Sequence, residues 1–350
     1  MNLDLNSNMK LPQFKTWVEI KKRAVEHNIK IMRGFLAPKT KLWSVVKSNA
    51  YGHGLADFAK IADDFGVNGF CVDSVQEGLK LRKNGVKKPI LTLGPTLFPE
   101  LFIAAQNNNI AVTVSNFDIL AKLLKIKNPP QFHLKIDTGM HRQGFYLNEL
   151  PKIIKILKKS KVKCQKSLVG VYTHFASAKD LNYPAYTDLQ FSQFEKAIKR
   201  LENSGFNNLI KHAAATGGTL INQKYHLDAV RVGIGLYGLW PSKELFLQIK
   251  NLKLKPVLSW HTLVSEVKNL KKWDYVGYDL AERVSVPSKI AILPIGYWHG
   301  FPRGLSGAGE VLINGRRAKI LGRVSMDLIV ANVTDIPCKT GDRATIIGRQ

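Results

Sequence analysis

A lysine at the end of an apolar run is the first residue whose position suggests chemistry. The run Lys41–Val46 has the length and β-branched content of a strand, and Gly52 and Gly54 are breakers that follow it. Lys47 therefore falls at the carboxyl end of a predicted strand. There desolvation favours loss of the ammonium proton, and a neutral amine can form a Schiff base. The competing interpretation is an ordinary surface lysine, which the local sequence alone favours.

Further polar strings follow other predicted strands. Lys135–Gly144, KIDTGMHRQG, contains a glycine-bounded turn that presents Arg142 as a fixed guanidinium, although a salt-bridged loop would have the same pattern. The Gly-rich segments Lys211–Gly218 and Val230–Gly238 follow the seventh and eighth predicted strands. Backbone amides at such turns suit a phosphate, and (β/α)8 barrels commonly bind phosphate there.

The chain from Thr16 to about Leu252 alternates short apolar runs with helix-length amphipathic segments. Eight such repeats predict a (β/α)8 barrel, whose usual length of about 250 residues fits this span. The alternative is a doubly wound sheet, which is weakened because no Gly-x-Gly-x-x-Gly follows the first strand. The predicted barrel strands are Leu42–Val46, Gly69–Val72, Pro89–Leu93, Ile110–Val114, Phe132–Ile136, Leu168–Tyr172, Leu209–His212 and Ala229–Val232.

We expect a flexible leader at residues 1–13, the barrel at 14–252 and a separate, mostly-β C-terminal domain at 253–350. Strands and Gly/Pro turns without long helical periods predict the last of these. Asn314-Gly315 indicates a tight hairpin between two of its strands. The predicted strands are Val257–Val267, Lys289–Pro294, Gly309–Ile313, Arg317–Leu321 and Leu328–Val333.

The composition indicates a globular protein with a large core, since 45% of its 350 residues are hydrophobic. No uncharged apolar run of about 18 residues could span a bilayer, and the polar start Met1–Lys10 lacks a signal core, so we expect a cytoplasmic protein. The three cysteines, Cys71, Cys164 and Cys338, are too few and too scattered for a disulfide framework or a metal cluster. No metal is expected.

The formal charge of +26 could indicate nucleic acid or an anionic membrane as a partner. The lysines are spread along the chain, however, and no RNP-like, zinc-finger or helix-turn-helix pattern accompanies them. We therefore interpret the charge as a lysine-rich composition and expect neither nucleic acid nor membrane as a partner.

Several of these strings together resemble the alanine racemase family, whose members use pyridoxal 5'-phosphate. Val46–Gly54, VKSNAYGHG, resembles the family's cofactor-lysine motif, which implies that Lys47 holds the cofactor and Tyr51 contacts its phosphate. Lys135–Gly144 resembles the family's second motif. Its arginine, Arg142 here, would contact the phenolic oxygen of the cofactor and the carboxylate of the substrate.

The resemblance assigns more barrel residues to the cofactor. Lys135 matches a lysine that many members carry as a carbamate, and His174 matches a histidine stacked on the pyridine ring. Thr216, Gly233 and Ile234 match the phosphate contacts. The family often has Asn-Ser where this chain has Ala-Thr, so a hydroxyl is kept and an amide is lost.

Arg231 matches an arginine that faces the pyridine nitrogen in the family. A guanidinium, whose pKa is above about 12, donates a hydrogen bond but does not readily give up a proton, so the ring nitrogen stays unprotonated. The cofactor is then a weak electron sink, which suppresses transamination. A decarboxylase of related architecture would need an acidic residue at this position and is disfavoured.

In the second domain, Tyr278 matches the second catalytic base, and Tyr297, Met326 and Asp327 match residues at the substrate entrance. Family members extend the equivalents of Tyr278, Met326 and Asp327 into the active site of a partner subunit. The resemblance therefore implies a head-to-tail homodimer with shared active sites.

Three departures from the family pattern lie in the second domain. Many members read Gly-Tyr-Gly around the base and Asp before a later glycine, whereas this chain has Asp279 and His299. The chain also stops at Gln350, where members continue for some tens of residues, including a tyrosine that touches the phosphate. We therefore expect a fragment or an unusually short domain, and a difference from the family that bears on both cofactor affinity and dimer stability.

The resemblance covers Thr16 to Gln350 and implies an alanine racemase that supplies D-alanine for peptidoglycan. Lys47 would serve the D-enantiomer and Tyr278 the L-enantiomer. A tyrosine needs a lowered pKa to act as a base, and a hydrogen-bond chain from Tyr278 through His174 to Arg231 would provide it. The alternatives are a racemase of serine or another small amino acid, and a non-catalytic cofactor-binding barrel, which would lack the second domain.

Overall fold

The chain divides into two compact units in a computed structural model that describes residues 14–160, 162–249 and 252–349. One unit is Lys22–Val257, and the other joins the chain before residue 22 to the chain from Leu258 onward. The leader expected at 1–13 lies outside the described residues. No helix among the described residues is long and apolar enough to cross a bilayer.

The described strands, in chain order, are β1 (Thr16–Ile20), β2 (Lys41–Val45), β3 (Gly69–Val72), β4 (Ile90–Pro95), β5 (Ile110–Val114), β6 (Phe132–Lys135), β7 (Leu168–Tyr172), β8 (Ile210–Ala215), β9 (Ala229–Val232), β10 (Leu258–Leu263), β11 (Glu266–Leu270), β12 (Tyr275–Val276), β13 (Glu282–Arg283), β14 (Ser288–Leu293), β15 (Glu310–Ile313), β16 (Arg316–Leu321), β17 (Ile329–Asn332) and β18 (Arg343–Ile347). The described helices are α1 (Lys22–Gly34), α2 (Lys47–Tyr51), α3 (Leu55–Asp64), α4 (Val75–Lys83), α5 (Pro99–Asn107), α6 (Phe117–Leu124), α7 (Leu150–Lys159), α8 (Val162–Ser167), α9 (Ala185–Asn203), α10 (Thr216–Ile221) and α11 (Lys243–Gln248).

The first unit is a closed barrel of eight parallel strands, β2 to β9, which confirms the predicted (β/α)8 fold. Neighbouring strands pair in chain order, and the barrel closes where Trp43 of β2 pairs with Arg231 of β9. The strands are buried on both faces because helices cover the outside and side chains fill the inside. Their carboxyl ends therefore lie at one end of the barrel, where the predicted site residues follow them.

The second unit is a β domain built on a sheet in the order β1-β10-β18-β15-β16-β17-β14-β11. Asn314 and Gly315, with φ of 49° and 74°, form the two-residue turn between β15 and β16, as the sequence predicts. The predicted strand Val257–Val267 is two strands, since the chain leaves β10 after Leu263 and β11 pairs elsewhere, with β14. The sequence did not predict β18.

β1 lies outside the barrel, although the expected boundaries place it there. It pairs antiparallel with β10, from Thr16 opposite Thr262 to Ile20 opposite Leu258. The Thr262 hydroxyl donates to the Lys15 carbonyl oxygen at 2.8 Å, which extends the same pairing. Pairing between segments this far apart in the chain leaves no local sequence signal, because period-two patterns show a strand but not its partner.

Candidate active site

A cavity of about 530 Å³ lies at the carboxyl ends of the barrel strands. All nine barrel residues singled out from the sequence line it: Lys47, Tyr51, Lys135, Arg142, His174, Thr216, Arg231, Gly233 and Ile234. Asp73, Gln143 and Tyr172 line it as well, although the sequence did not single them out. The barrel thus brings residues from five separate sequence strings to one surface.

Lys47 begins α2, which winds as a left-handed turn. Ser48, Asn49, Ala50 and Tyr51 have φ between 54° and 55°, a region that costs L-residues about 1–2 kcal/mol each. The sequence predicts that the strand ends at Lys47 but not that the turn after it is left-handed. Strain of this size persists only where the surroundings fix the backbone, and it concentrates at functional sites.

Glu77 of α4 supplies part of that restraint. Its carboxylate accepts hydrogen bonds from the backbone N–H groups of Asn49, at 3.2 Å, and Asp73, at 2.8 Å. The Asn49 side chain in turn accepts from the N–H of Leu55 at 2.9 Å. One half-buried glutamate, Glu77, therefore connects the left-handed turn after β2 to the loop after β3.

Lys47 and Asp73 face each other across the cavity wall. The Lys47 Nζ lies 3.8 Å from Oδ1 of Asp73, and the side chains are 39% and 54% exposed. At that distance the pair attracts electrostatically but forms no direct hydrogen bond. The amine is therefore placed at the cavity without being locked by a partner.

Arg231 is 2% exposed and is held by several acceptors. Its NH2 group donates to the carbonyl oxygens of Thr173, at 2.8 Å, and Ala213, at 3.0 Å, and its NH1 lies 2.6 Å from Nδ1 of His212. Because arginine only donates, Nδ1 of His212 must be the acceptor, so the proton of this ring lies on Nε2. That nitrogen lies 2.9 Å from Nδ1 of His133 and donates to it.

The three histidines around Arg231 are neutral at pH 7. Burial, reinforced by the Arg231 charge, lowers the pKa of His133 and His174 to about 3 and holds the pKa of His212 well below its ordinary value. Protonating any of them would place a second cation beside a buried guanidinium. The site therefore presents Arg231 as a buried, fixed charge and His174 as a neutral ring.

Arg142 is positioned by Asp137. One carboxylate oxygen of Asp137 accepts from the N–H groups of Gly139, Met140 and His141 at 2.9–3.0 Å, and the other accepts from the N–H of Arg142 at 3.1 Å. Burial opposes ionisation of this carboxyl, but the four donors outweigh it, so its pKa lies below the ordinary value.

Lys135 is buried beside this turn. Its Nζ donates to Oε1 of Gln143 at 2.9 Å, and the Gln143 amide donates to the Ser115 hydroxyl at 3.3 Å. Burial, followed by the charges of Arg142 and Arg231, lowers the pKa of Lys135 to about 8. At pH 7 about a tenth of this amine is therefore neutral, far more than for an ordinary lysine.

Thr216, Gly217, Gly233 and Ile234 form a cup at one end of the cavity, which we call the glycine cup. The Thr216 hydroxyl accepts from the N–H of Gly233 at 3.2 Å. A Cβ at Gly217 would lie 1.9 Å from the carbonyl oxygen of Ala178, and one at Gly233 would lie 2.6 Å from the Tyr51 hydroxyl oxygen. The cup is thus open because both positions lack a side chain, and its backbone amides suit a phosphate.

The other predicted site residues lie on short 3-10 helices and loops of the β domain. Tyr278 is 67% exposed and follows Gly277, and the neighbouring Asp279 forms an ion pair with Arg323. The backbone N–H of Tyr297 donates to Ser325 O at 3.1 Å, which places it next to the loop of Met326 and Asp327. Tyr297, Met326 and Asp327 are all exposed.

Sequence reasoning missed His133, His212, Tyr172 and Asp73. The first three are polar residues inside apolar strands, and the Tyr172 ring stacks on His212 with centroids 4.8 Å apart. Inward-facing polar residues in otherwise apolar barrel strands were the available signal. Asp73 follows β3 directly, the same position relative to its strand that drew attention to Lys47.

Comparisons with known proteins identify the family. The chain matches the family "Alanine racemase, N-terminal domain" over residues 20–241 and "Alanine racemase, C-terminal domain" over 257–350. It is 36% identical over 351 residues to the alanine racemase of Leptospira interrogans, which covers 98% of this chain and 89% of that protein. It is 39% identical over 337 residues to that of Listeria innocua, covering 95% and 88%.

Solved structures give the same result. The crystal structure of alanine racemase from Bacillus anthracis with bound L-Ala-P superposes with a TM-score of 0.88 at 35% identity, covering 97% of this chain and 87% of that one. Alanine racemase from Clostridium difficile superposes with a TM-score of 0.89 at 31% identity, covering 97% and 88%.

Proposed function

The chain belongs to the alanine racemase family and interconverts L-alanine and D-alanine, and we propose that it does so with pyridoxal 5'-phosphate and two bases, Lys47 and Tyr278. The observation that carries the proposal is the convergence of Lys47, Arg142, His174 and Arg231 on one cavity beside the glycine cup. We further propose that this reaction supplies the D-alanine of peptidoglycan.

The cavity suits an anionic cofactor and an anionic substrate. One carboxylate, Asp73, lines it together with five basic side chains, which favours a phosphate and a substrate carboxylate. The basic side chains are Lys47, Lys135, Arg142, Lys179 and Arg231. The glycine cup and the Tyr51 hydroxyl would hold the phosphate, Lys47 would bond to the cofactor, and Arg231 would face its ring nitrogen. When bound, the cofactor would stabilise the negative charge that develops on Cα as the α-proton leaves.

The protein's own groups move the proton. Lys47 would take the α-proton of D-alanine, and Tyr278 would take that of L-alanine from the opposite face. Arg142 would orient the substrate through its carboxylate, and its place is fixed by the Asp137 turn. His174 is neutral, and its Nδ1 faces the Arg231 NH2 group at 3.3 Å. Its Nε2 therefore carries the proton and would donate it in a hydrogen bond to the phenolate of Tyr278.

We propose a head-to-tail homodimer in which Tyr278, Met326 and Asp327 complete the cavity of a second copy. Exposed apolar side chains cluster around these residues, and clusters of this kind mark interaction surfaces. They are Tyr278, Leu280, Tyr297, Trp298, Met326 and Leu328.

The decisive experiment is racemisation of D-alanine by the purified protein with and without added pyridoxal 5'-phosphate. We expect activity that depends on the cofactor and a visible absorbance band that Lys47→Ala abolishes. Lys60→Ala, at an exposed lysine of α3, is the matched control and should retain both. A borohydride-reducible cofactor adduct that persists in Lys47→Ala would show that Lys47 is not the residue that bonds to the cofactor.

A further inference from the structure

Asp73 is unusual among the residues of the cavity because of its charge. Among the described residues that line the cavity, it is the only carboxylate, and the five basic side chains named above line the same cavity. A cavity built for a phosphate and a substrate carboxylate gains nothing from a negative charge unless that charge acts on a particular cation. The cation closest to it in the structure is Lys47, 3.8 Å away.

The backbone around Asp73 is fixed. Its N–H donates to Glu77 at 2.8 Å, and its carbonyl oxygen accepts from the N–H of Gly94 at 2.9 Å. A Cβ at Gly94 would lie 2.5 Å from that carbonyl oxygen and 3.1 Å from Oδ2, so the absence of a side chain there makes room for the carboxylate.

The same glutamate also holds the Lys47 side of the pair. Glu77 accepts from Asn49 in the left-handed turn that begins at Lys47, at 3.2 Å. The two backbones are therefore braced by one carboxylate, which sets the separation of the Asp73 and Lys47 side chains.

A purely structural ion pair explains this arrangement poorly. Both side chains are well exposed, so their attraction adds little to the stability of the fold. The pair is also longer than a hydrogen bond, which leaves the amine able to turn away toward another atom. Those properties suit a lysine that must exchange partners.

We propose that Asp73 is a positioning residue for Lys47, whose carboxylate orients the Lys47 amino group at the cavity and balances positive charge on its nitrogen. The inference rests on the proposed role of Lys47 as the residue that bonds to the cofactor. In addition to that role, the Asp73 carboxylate would favour the state in which the Lys47 nitrogen that bonds to the cofactor carries a proton.

Other charged and titratable groups also act on the Lys47 nitrogen. Each of them either disfavours a proton there, opposite to Asp73, or has a charge that does not change. The basic groups disfavour a proton there, and Glu77 is engaged by two backbone N–H donors. The cationic groups are Lys135, Arg142, Lys179 and Arg231. The groups whose charge stays constant are His174, Tyr51, Tyr172 and Glu77. None of them is altered by substituting Asp73.

The test is a pH titration of the visible absorbance of the cofactor-loaded protein. In Asp73→Asn, the form with a proton on nitrogen loses its stabilising charge, so the pH midpoint of the absorbance change should fall by about 0.2–0.7 units. Asp73→Glu keeps the charge and should return the midpoint most of the way. Asp73→Ser is a second neutral variant and should agree with Asn.

Asp64→Asn is the matched control, because Asp64 pairs with a surface lysine, Lys22, at 3.2 Å. Its midpoint should equal that of the unaltered protein. An unchanged midpoint in Asp73→Asn and Asp73→Ser would overturn the inference and leave the proposed function standing. Absence of the visible band in the unaltered protein, or its survival in Lys47→Ala, would instead contradict the proposed function.

Discussion

The Arg231 NH2 group lies 3.3 Å from Nδ1 of His174, and this contact determines which nitrogen of the histidine carries the proton. Arginine cannot accept a hydrogen bond, so an N–H at Nδ1 would face it without an acceptor, and the ring proton therefore lies on Nε2. The same argument holds for His212, whose Nδ1 faces Arg231, so its Nε2 carries the proton and donates to Nδ1 of His133. Burial keeps the three rings neutral and the Arg231 charge adds to that effect, so the stability of the protein should depend on pH.

We expect the free energy of unfolding to fall as the pH falls from 6.5 to 5. The pKa values of His133 and His174 are about 3 in the folded protein, and that of His212 is also strongly lowered, whereas all three titrate near 6.5 when unfolded. The unfolded chain therefore binds more protons in this window, and each histidine contributes a slope of up to about 1.4 kcal/mol per pH unit.

Urea denaturation of the cofactor-free protein at several pH values measures this slope. His133→Asn removes one titrating ring and should lower the slope by the share of one histidine. A free energy of unfolding that stays constant between pH 6.5 and 5 would contradict the assignment.

Gly217→Ala should weaken cofactor binding about tenfold or more, because the new Cβ would lie 1.9 Å from the Ala178 carbonyl oxygen and force the glycine cup to shift. Titration of pyridoxal 5'-phosphate against the visible absorbance measures the change. Gly34→Ala, where no atom lies within 4 Å of the new Cβ, is the control. Equal affinities in the two variants would show that the cup does not bind the phosphate.

Tyr278→Phe should lower racemisation by about a hundredfold or more, the usual contribution of a general acid–base group. In deuterated water the variant should still exchange the α-proton of D-alanine through Lys47, while D-alanine is no longer converted to L-alanine at the original rate. Mass spectrometry and chiral chromatography separate the two outcomes. Unchanged exchange of L-alanine would refute Tyr278 as its base.

Mixing two inactive variants tests whether the active sites are shared. In an equal mixture of Lys47→Ala and Tyr278→Phe, half of the dimers are mixed, and each has one site with both bases, so about a quarter of the original activity should return. Each variant alone supplies the baseline. If mixing restores no activity after subunit exchange, Tyr278 does not act across the dimer.

Lys135 should take up carbon dioxide as its amine becomes neutral. Since its pKa is lowered to about 8, the neutral fraction rises between pH 7 and 9, and a carbamate can form only on a neutral amine. After incubation with 13C-bicarbonate, a carbamate carbon signal should grow over this range. It should be absent from Lys135→Gln and present in Lys60→Gln. A signal that survives Lys135→Gln belongs to another group.

Much of the fold was predictable because its signals are local. Each barrel strand is a short apolar run bounded by breakers, and the alternation with amphipathic segments leaves few architectures other than a closed barrel. The hairpin at Asn314-Gly315 was predictable for the same reason, since its turn needs residues that tolerate positive φ. The strand Thr16–Ile20 was predictable too, but its pairing with β10 was not, because β10 lies far along the chain.

The sequence by itself determined the family, the barrel and the positions of Lys47, Arg142, His174 and Arg231 at strand ends, because residue type and order along the chain carry that information. Only the tertiary structure decided the left-handed turn after Lys47, the direction of donation from Arg231 and the pairing of Lys47 with Asp73. These depend on distances between side chains from different strands and on burial, and neither quantity exists until the barrel has closed.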